Sequence, residues 1–189
     1  MVLALAVGLG VVLGYLLGGR LSRLAVMPIR APWLFYVAIG LQVAAFPSGA
    51  LPWSIGNSLA TGLWLLSYAV LVAGAAINLR LPGAAVMGLG MSCNLAAVLA
   101  NGGHMPALRS ALRAAGALYR GVHNNSAIAA HPHLAWLIDR WPVPAWIPMG
   151  NVYSAGDVLI ATGAVVLVCA GMGVRPRRGP VEAAVPKSA

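Results

Sequence analysis

Charged side chains are almost absent from five long apolar stretches of this sequence and are concentrated in the gaps between them. The chain has 12 basic and three acidic residues among 189. Hydrocarbon solvates neither a charge nor an unpaired backbone amide, so a segment that crosses a bilayer must be helical and nearly free of charge. The pattern therefore predicts an all-α fold, a polytopic membrane helix bundle.

The composition excludes the common soluble classes. Hydrophobic residues make up 60% of the chain and charged residues only 8%, whereas a soluble domain has about 25% charged residues. The net charge of +9 would suggest nucleic acid in a soluble protein. Here the arginines flank apolar stretches, which indicates anionic lipid head groups as partners. No nucleic-acid partner is expected, because aromatic residues do not interleave with the basic ones.

The apolar stretches define five predicted transmembrane helices of roughly 20 residues each. We place them at about 2–18, 31–46, 58–78, 83–100 and 155–174. The first has no basic residue before it, which distinguishes it from a secretory signal peptide and predicts a retained helix. The expected organisation is a five-helix membrane domain over 1–174 and a disordered cytoplasmic tail over 175–189.

The longest connection, 101–151, is predicted to be more than an ordinary loop. In 105–119, Leu108 and Leu112 fall on one helical face with Arg109 and Arg113 beside them. This pattern is typical of an extracytoplasmic interfacial helix whose arginines reach lipid phosphates. Tryptophans and prolines then alternate over 134–148, which forbids a regular helix and favours a cap at the head-group layer.

The distribution of basic residues predicts the orientation. With five spans, eight Lys and Arg residues fall on one side and four, all within 101–151, fall on the other. The more basic side of a membrane protein is usually cytoplasmic. We therefore expect a multi-pass protein of the cell membrane with its N-terminus and long loop outside and its C-terminus in the cytoplasm. If the second stretch did not span, every later segment would be inverted.

Small residues in the first stretch predict close helix packing. Ala6, Gly10, Gly14 and Gly18 recur every four residues and form a ridge that lets another backbone approach. The ridge suits either a homo-oligomer or partner membrane protein bound through Gly10, Gly14 and Gly18, or packing inside the bundle. Internal packing is favoured.

Three polar residues at predicted membrane depth are candidate ligand-binding residues. Asp157 follows Ser154 by three, which predicts a reciprocal capping box at the start of the fifth helix. The alternative for Asp157 is a proton or cation site. Asn94 and Gln42 need partners in lipid and should face the bundle interior, either as interhelical hydrogen-bonding groups or as substrate contacts.

Further candidates lie in the outer loop. Asn101 begins an Asn-Gly-Gly turn that closes the fourth helix, and His104, which the turn itself does not explain, is a candidate ligand-binding residue. Arg109 and Arg113 are suited to binding phosphate. The histidines lack the ligand spacing of a metal site, and Asp139 is the only acid near them. We expect them to be solvated, with no metal and no cofactor; they are His104, His123, His131 and His133.

Several of these motifs together resemble one family. They are Gly19-Arg20, Gln42, Asn78 with Pro82-Gly83, Asn94, Asn101-Gly-Gly-His-Met-Pro106 and Tyr153-Ser-Ala-Gly-Asp157-Val-Leu-Ile160. In this pattern the chain resembles an uncharacterised bacterial polytopic membrane family, the domain of unknown function 5317, over about residues 1–174. The resemblance implies a membrane protein and adds no activity.

The first functional hypothesis is a binding protein without enzymatic activity. It would act as an accessory protein that holds a lipid or a partner at the outer face of the cytoplasmic membrane, through Asn101, Arg109, Arg113 and Asp157. Such a protein should have a dry helix bundle and a polar outer face.

Two alternatives follow in order. A small transporter or channel requires Gln42, Asn94 and Asp157 to line one polar path. A membrane enzyme acting on a lipid phosphate requires His104 to approach an arginine and a second polar group. The enzyme ranks last, because the sequence contains no catalytic pair at a recognisable spacing.

Overall fold

The computed structural model describes residues 2–46, 56–116, 126–128, 131–143 and 152–174. The elements in chain order are α1 (Val2–Leu16), α2 (Leu21–Leu24), α3 (Trp33–Ala45), α4 (Asn57–Ile77), α5 (Ala84–Ala100), β1 (Met105–Ala107), α6 (Arg109–Ala114), β2 (Ser126–Ile128), β3 (Trp141–Pro142), β4 (Val152–Tyr153) and α7 (Ala155–Gly171). The strands are two or three residues long. The all-α prediction is confirmed.

Each of the five apolar stretches contains one long helix, but the helices differ in length. Among the described residues, only α4, with 21 residues, is both long and apolar enough to cross a bilayer. It would extend about 32 Å at 1.5 Å per residue, against a hydrocarbon core of about 30 Å. The other four are apolar and have 13 to 17 residues. That all five helices span a membrane stays a prediction.

The five long helices pack side by side in the order α3, α4, α5, α7, α1. The α5–α7 crossing depends on two pairs of glycines, each spaced by seven residues. A Cβ on Gly90 would lie 2.5 Å from the Gly156 carbonyl oxygen, and a Cβ on Gly163 would lie 2.6 Å from the Gly83 carbonyl oxygen. The two backbones therefore touch, which only glycine permits at these positions.

The glycine ridge of α1 is covered by α7 within the same chain. Ala6, Gly10 and Gly14 are buried, and a Cβ on Gly10 would lie 2.9 Å from Val168. Gly18 is different: it lies beyond the helix end with a positive φ of 80° and has open space around it. Internal packing thus accounts for Gly10 and Gly14, while a partner at Gly18 stays a prediction.

Large apolar side chains point outward from the bundle, and small ones point inward. Leu5 is 61% exposed and Leu89 57% exposed, whereas Ala38 and Ala97 are 1% and 0% exposed. This is the reverse of a soluble core, where leucines are buried. The outer surfaces of these helices are therefore continuously apolar.

The connection after α5 folds over one end of the bundle. β1 pairs with β2 in parallel, β3 pairs with β4 antiparallel, and Asp139 donates its backbone N–H to the Pro106 carbonyl at 3.0 Å. The helix predicted over 105–119 is wrong in its extent. Residues 105–107 form β1 instead, because they pair with β2, and α6 has only six residues, Arg109–Ala114.

Candidate functional site

A cavity of about 400 Å³ lies at the capped end of the bundle. All five long helices line it. We call the connection from β1 to β4 the folded cap, and four of its residues contribute to the cavity wall: Met105, Asp139, Val152 and Tyr153. We call this cavity the central cavity. Gln42, Asn94 and Asp157, which lie far apart in the sequence, all line it.

Asp157 and Asn94 form one hydrogen-bonded unit with Ser154 at the start of α7. The predicted capping box is confirmed: Ser154 Oγ accepts the Asp157 N–H at 3.1 Å, and Asp157 Oδ2 accepts the Ser154 N–H at 3.0 Å. Asn94 Nδ2 donates to Asp157 Oδ1 at 3.0 Å. The unit exists because Gly156 allows α5 to come close; a Cβ there would collide with the Asn94 amide.

The Ser154 hydroxyl has two neighbouring acceptors and one proton. Its oxygen lies 2.9 Å from Asn94 Oδ1 and 3.0 Å from Asp157 Oδ2. A hydroxyl donates only once, so it donates to one of these acceptors at a time. A carboxylate has about four lone-pair positions, and its fixed partners here use two. Asp157 therefore keeps accepting capacity for a ligand even while it caps the helix.

Gln42 anchors a second wall, formed by α3 and α4. Its Nε2 donates to Ser67 Oγ at 3.2 Å, and Ser67 Oγ donates to the Trp64 carbonyl at 2.7 Å. Trp64 and Tyr68 stack edge to face with ring centroids 5.5 Å apart, and both line the cavity. This wall thus presents aromatic rings to the cavity that Asp157 also lines.

Asp139 supplies a second carboxyl group from the cap. It is only 8% exposed and lines the cavity. Burial, and to a lesser extent the nearby negative charge of Asp157, together raise its pKa to about 8. Both causes disfavour the charged form. A positively charged ligand in the cavity would counter the effect of Asp157 and lower the pKa of Asp139, because it would favour the charged form of the carboxyl group.

Tyr153 contributes a hydroxyl that has no hydrogen-bond partner among the described residues. The oxygen is buried, and buried polar atoms are usually paired. Burial first, and then the charges of Asp157 and Asp139, raise the pKa of Tyr153, so the hydroxyl stays protonated. It is available to a ligand as both a donor and an acceptor.

The remaining predicted site residues lie outside the central cavity. Asn101 uses its amide to hold the cap: Nδ2 donates to the Ala97 and His133 carbonyls at 2.7 and 3.0 Å, and Oδ1 accepts the His133 N–H at 2.9 Å. Arg109 and Arg113 are exposed on α6. The structure therefore does not bring these arginines to Asp157.

The histidines of the described part of the chain are exposed and do not line the cavity; they are His104, His131 and His133. His123 lies outside the described residues. No group of three or more His, Cys, Asp or Glu residues is placed to hold a metal ion within the described ranges.

Sequence reasoning missed the aromatic wall and gave little weight to Asp139. Trp64, Ser67 and Tyr68 recur at a helical spacing of three and four, and this was a usable signal of one shared face. Tyr153 was visible only as part of a motif. Its position depends on the β3–β4 pairing of Trp141 with Tyr153, which no local pattern indicates.

Comparison with known proteins gives a family match. A family model described as "Family of unknown function (DUF5317)" matches residues 26–169, and this range contains the site residues from Gln42 to Asp157. No curated protein and no solved structure matches the chain. The resemblance to domain of unknown function 5317 is confirmed over residues 26–169, a range that leaves out the Gly19-Arg20 motif.

Proposed function

This chain belongs to the DUF5317 family, a family of unknown function, and we propose that it is an integral membrane protein that binds a small organic cation in the central cavity and carries it across the bilayer. The observation that carries the proposal is the acidic lining of that cavity. The chain has three acidic residues, and two of them, Asp139 and Asp157, line it.

The charge around the cavity favours a cation over an anion. The chain as a whole has a net charge of +9, yet no lysine, arginine or histidine of the described residues lines the cavity. Asp139 is buried and Asp157 is partly buried, and ionising a carboxyl group there without a cationic partner costs free energy. A positively charged ligand would offset that cost.

The shape and lining of the cavity favour an organic cation. A volume of about 400 Å³ is within the usual range for small-molecule sites. Trp64 and Tyr68 offer ring faces or edges beside the acids, and an ammonium group over an aromatic face gains about 0.5–2 kcal/mol. A bare metal ion would use none of this aromatic surface.

Membrane insertion is supported by the outward-facing leucines and the small inward-facing residues. Extended apolar surfaces are rare on soluble monomers, and small residues at helix interfaces are typical of membrane bundles. With five spans, the bias of eight basic residues against four favours an orientation with the N-terminus and the cap outside. The cavity would then lie at the outer side of the membrane.

Transport is favoured over an accessory role because the polar residues converge inside the bundle. Gln42, Asn94 and Asp157 share one cavity, as a transporter requires, whereas a dry bundle is expected of a scaffold. Below the cavity, a small apolar pocket of about 40 Å³ is lined by Phe35, Met87 and Met91 among others. These three residues also line the central cavity, so they would form the closed inner side of a transport path.

The binding test compares choline with its neutral carbon isostere, 3,3-dimethylbutan-1-ol. The two differ in charge at nearly constant shape. Protein in lipid nanodiscs at pH 9, above the pKa of Asp139 of about 8, should bind choline at least about tenfold more tightly than the isostere, since one favourable charge pair in a partly buried site exceeds 1.4 kcal/mol.

Two substitutions and one control make the assignment specific. Asp139→Asn and Asp157→Asn should each weaken choline binding and leave binding of the isostere unchanged. Glu182→Gln removes the same charge from the tail and should have no effect. Equal affinities for choline and its isostere, or no loss in either aspartate variant, would contradict the proposal. Uptake of labelled choline into proteoliposomes, with Asp139→Asn as the inactive control, tests transport separately from binding.

A further inference from the structure

A second depression, apolar and of about 520 Å³, runs between the outer halves of α1 and α7. We call it the lateral groove. Leu5 and Leu9 of α1 line one side, and Val158, Ala161 and Val165 of α7 line the other. Several of these side chains are more than half exposed, including Leu5 and Val158, so the groove is open to the surroundings of the bundle.

The lateral groove and the central cavity share part of their walls. Val2, Tyr153 and Asp157 line both. Asp157 carries a negative charge to the end of an otherwise apolar groove, and the Tyr153 hydroxyl at the same place has no partner among the described residues. An apolar channel that ends at an acid and an unpaired hydroxyl is complementary to a molecule with a hydrocarbon chain and a positive head group.

Further along, glycines of α1 let α1 and α7 pack closely. Gly10 and Gly14 approach Val168 and Met172, and Cys169 Sγ donates to the Gly10 carbonyl at 3.3 Å. Nearer the start of α1, Leu5 and Leu9 line the groove and are more than half exposed. Close packing at one end and an open seam at the other leave room for a chain between the helices.

We propose that the ligand is an amphiphilic organic cation, whose head group binds Asp157 and Tyr153 in the central cavity while its single alkyl chain lies in the lateral groove. This inference rests on the proposed function and narrows its substrate class. An anionic lipid is disfavoured because its head group would meet Asp157. The open side of the groove lets the chain enter from the hydrocarbon of the bilayer.

The test is a series of alkyltrimethylammonium ions with chains from one to eight carbons. Each methylene buried in the groove should lower the dissociation constant by up to about fourfold, since a buried CH₂ contributes about 0.8 kcal/mol. Ala161→Phe fills the groove without lining the central cavity. It should flatten the dependence on chain length and leave tetramethylammonium binding unchanged. Thr162→Phe is a second blocking variant, at an exposed position of the groove.

The matched control is Val166→Phe, which adds an aromatic ring to an exposed site on α7, 42% accessible, outside the groove. The dissociation constants of this variant should depend on chain length as those of the unmodified protein do. Partition of the alkyl chains into lipid affects all the variants equally and so cancels when they are compared. A flat series in the unmodified protein, or blocking variants that match Val166→Phe, would overturn the inference while tetramethylammonium binding upholds the proposed function. If the unmodified protein does not bind tetramethylammonium, the proposed function is overturned as well.

Discussion

At the scale of single residues, the site depends on a carboxylate that has a structural partner on each oxygen. Asp157 Oδ2 accepts the Ser154 N–H in the capping box at the start of α7, and Asp157 Oδ1 accepts a hydrogen bond from Asn94 of α5. The interaction with the helix dipole adds to this, since an acid in the first turn of a helix is stabilising. Capping and ligand binding are compatible here because the carboxylate has more lone pairs than fixed partners.

Ser154→Ala should destabilise the protein by about 1–2 kcal/mol. The change removes the acceptor for the Asp157 N–H and a donor available to Asn94 Oδ1, and Ser154 is fully buried. The measurement is the free energy of unfolding in detergent. Ser92→Ala is the matched control, because the Ser92 hydroxyl is exposed and only bonds the Gly88 carbonyl of its own helix. Equal losses in the two variants would refute the role assigned to Ser154.

The stability of the ligand-free protein should fall as the pH rises from about 4 to about 8. Asp139 has an ordinary pKa of 3.8 and a folded-state pKa of about 8, so over that range the folded protein retains a proton that the unfolded chain releases. Folding is then penalised increasingly until the folded carboxyl also ionises. Thermal midpoints at pH 5 and pH 9 measure the effect.

The variant Asp139→Asn isolates this group. It should raise the thermal midpoint at pH 9 towards the value at pH 5, because an amide does not ionise. Glu182→Gln should keep the original pH dependence. A protein whose midpoint rises with pH, or an Asp139→Asn variant with an unchanged slope, would show that Asp139 is not held neutral by burial.

At the scale of elements, the α5–α7 contact determines where the polar residues meet. Gly83 and Gly90 on one helix face Gly163 and Gly156 on the other, and the close approach carries Asn94 to the start of α7. The two helices cannot separate slightly without breaking the bond between Asn94 and Asp157. The geometry of the site is therefore a consequence of backbone packing.

Gly90→Ala should destabilise the protein and weaken choline binding. The new Cβ would lie 2.5 Å from the Gly156 carbonyl oxygen and 2.9 Å from Ile160, so the helices must move apart. Gly62→Ala is the control: nothing lies within 4 Å of a Cβ there, and alanine should stabilise the helix by up to about 1 kcal/mol. Thermal midpoints and choline affinities of both variants decide the matter, and a tolerated Gly90→Ala would refute the tight crossing.

The sequence predicted the elements well and their meeting points poorly. Five apolar stretches gave five helices, and Ser154 with Asp157 gave the capping box, because hydrophobic runs and caps are local signals. The Asn-Gly-Gly turn was also predictable: Gly102 and Gly103 both have positive φ, and the Gly103 N–H bonds the Val98 carbonyl at 2.9 Å, as a left-handed helix end requires.

What the sequence did not reveal depends on pairing between distant segments. Residues 105–107 have an apolar pattern that also suits a helix, and only the pairing with β2 makes them a strand. The same holds for Asp139, whose place over the cavity depends on its backbone bonds to Pro106 and Leu108. Propensity is a weak guide where tertiary contacts decide the local conformation.

At the scale of the whole molecule, the two ends of the bundle are chemically distinct. At the end opposite the cavity, Asn78 clamps the chain before α3, accepting the Arg30 N–H at 2.8 Å and donating to the Arg30 carbonyl at 2.9 Å. The Arg20 backbone N–H donates to the Met172 carbonyl at 2.9 Å. The arginine-bearing turns thus gather at one end and the folded cap at the other.

The proposed orientation predicts which end a membrane-impermeant thiol reagent reaches. Single cysteines at His131 in the cap and at Arg80 between α4 and α5, in a background with Cys93 and Cys169 replaced by alanine, should differ in intact cells. The cap position should be labelled, and the Arg80 position should react only after the membrane is permeabilised. The opposite result would invert the topology, and labelling of both positions in intact cells would refute it.

Asp157 has two roles, capping α7 and binding the proposed ligand, and this limits which substitutions the protein can accept in evolution. A lineage that replaced this acid to accept a neutral or anionic cargo would also loosen the first turn of the last helix, so such variants start at a disadvantage. Asp139 and Tyr153, on the cap, carry no comparable helix-capping role. Among relatives, changes in ligand specificity should therefore begin at Asp139 and Tyr153 on the folded cap, while Asp157 at the start of α7 is retained.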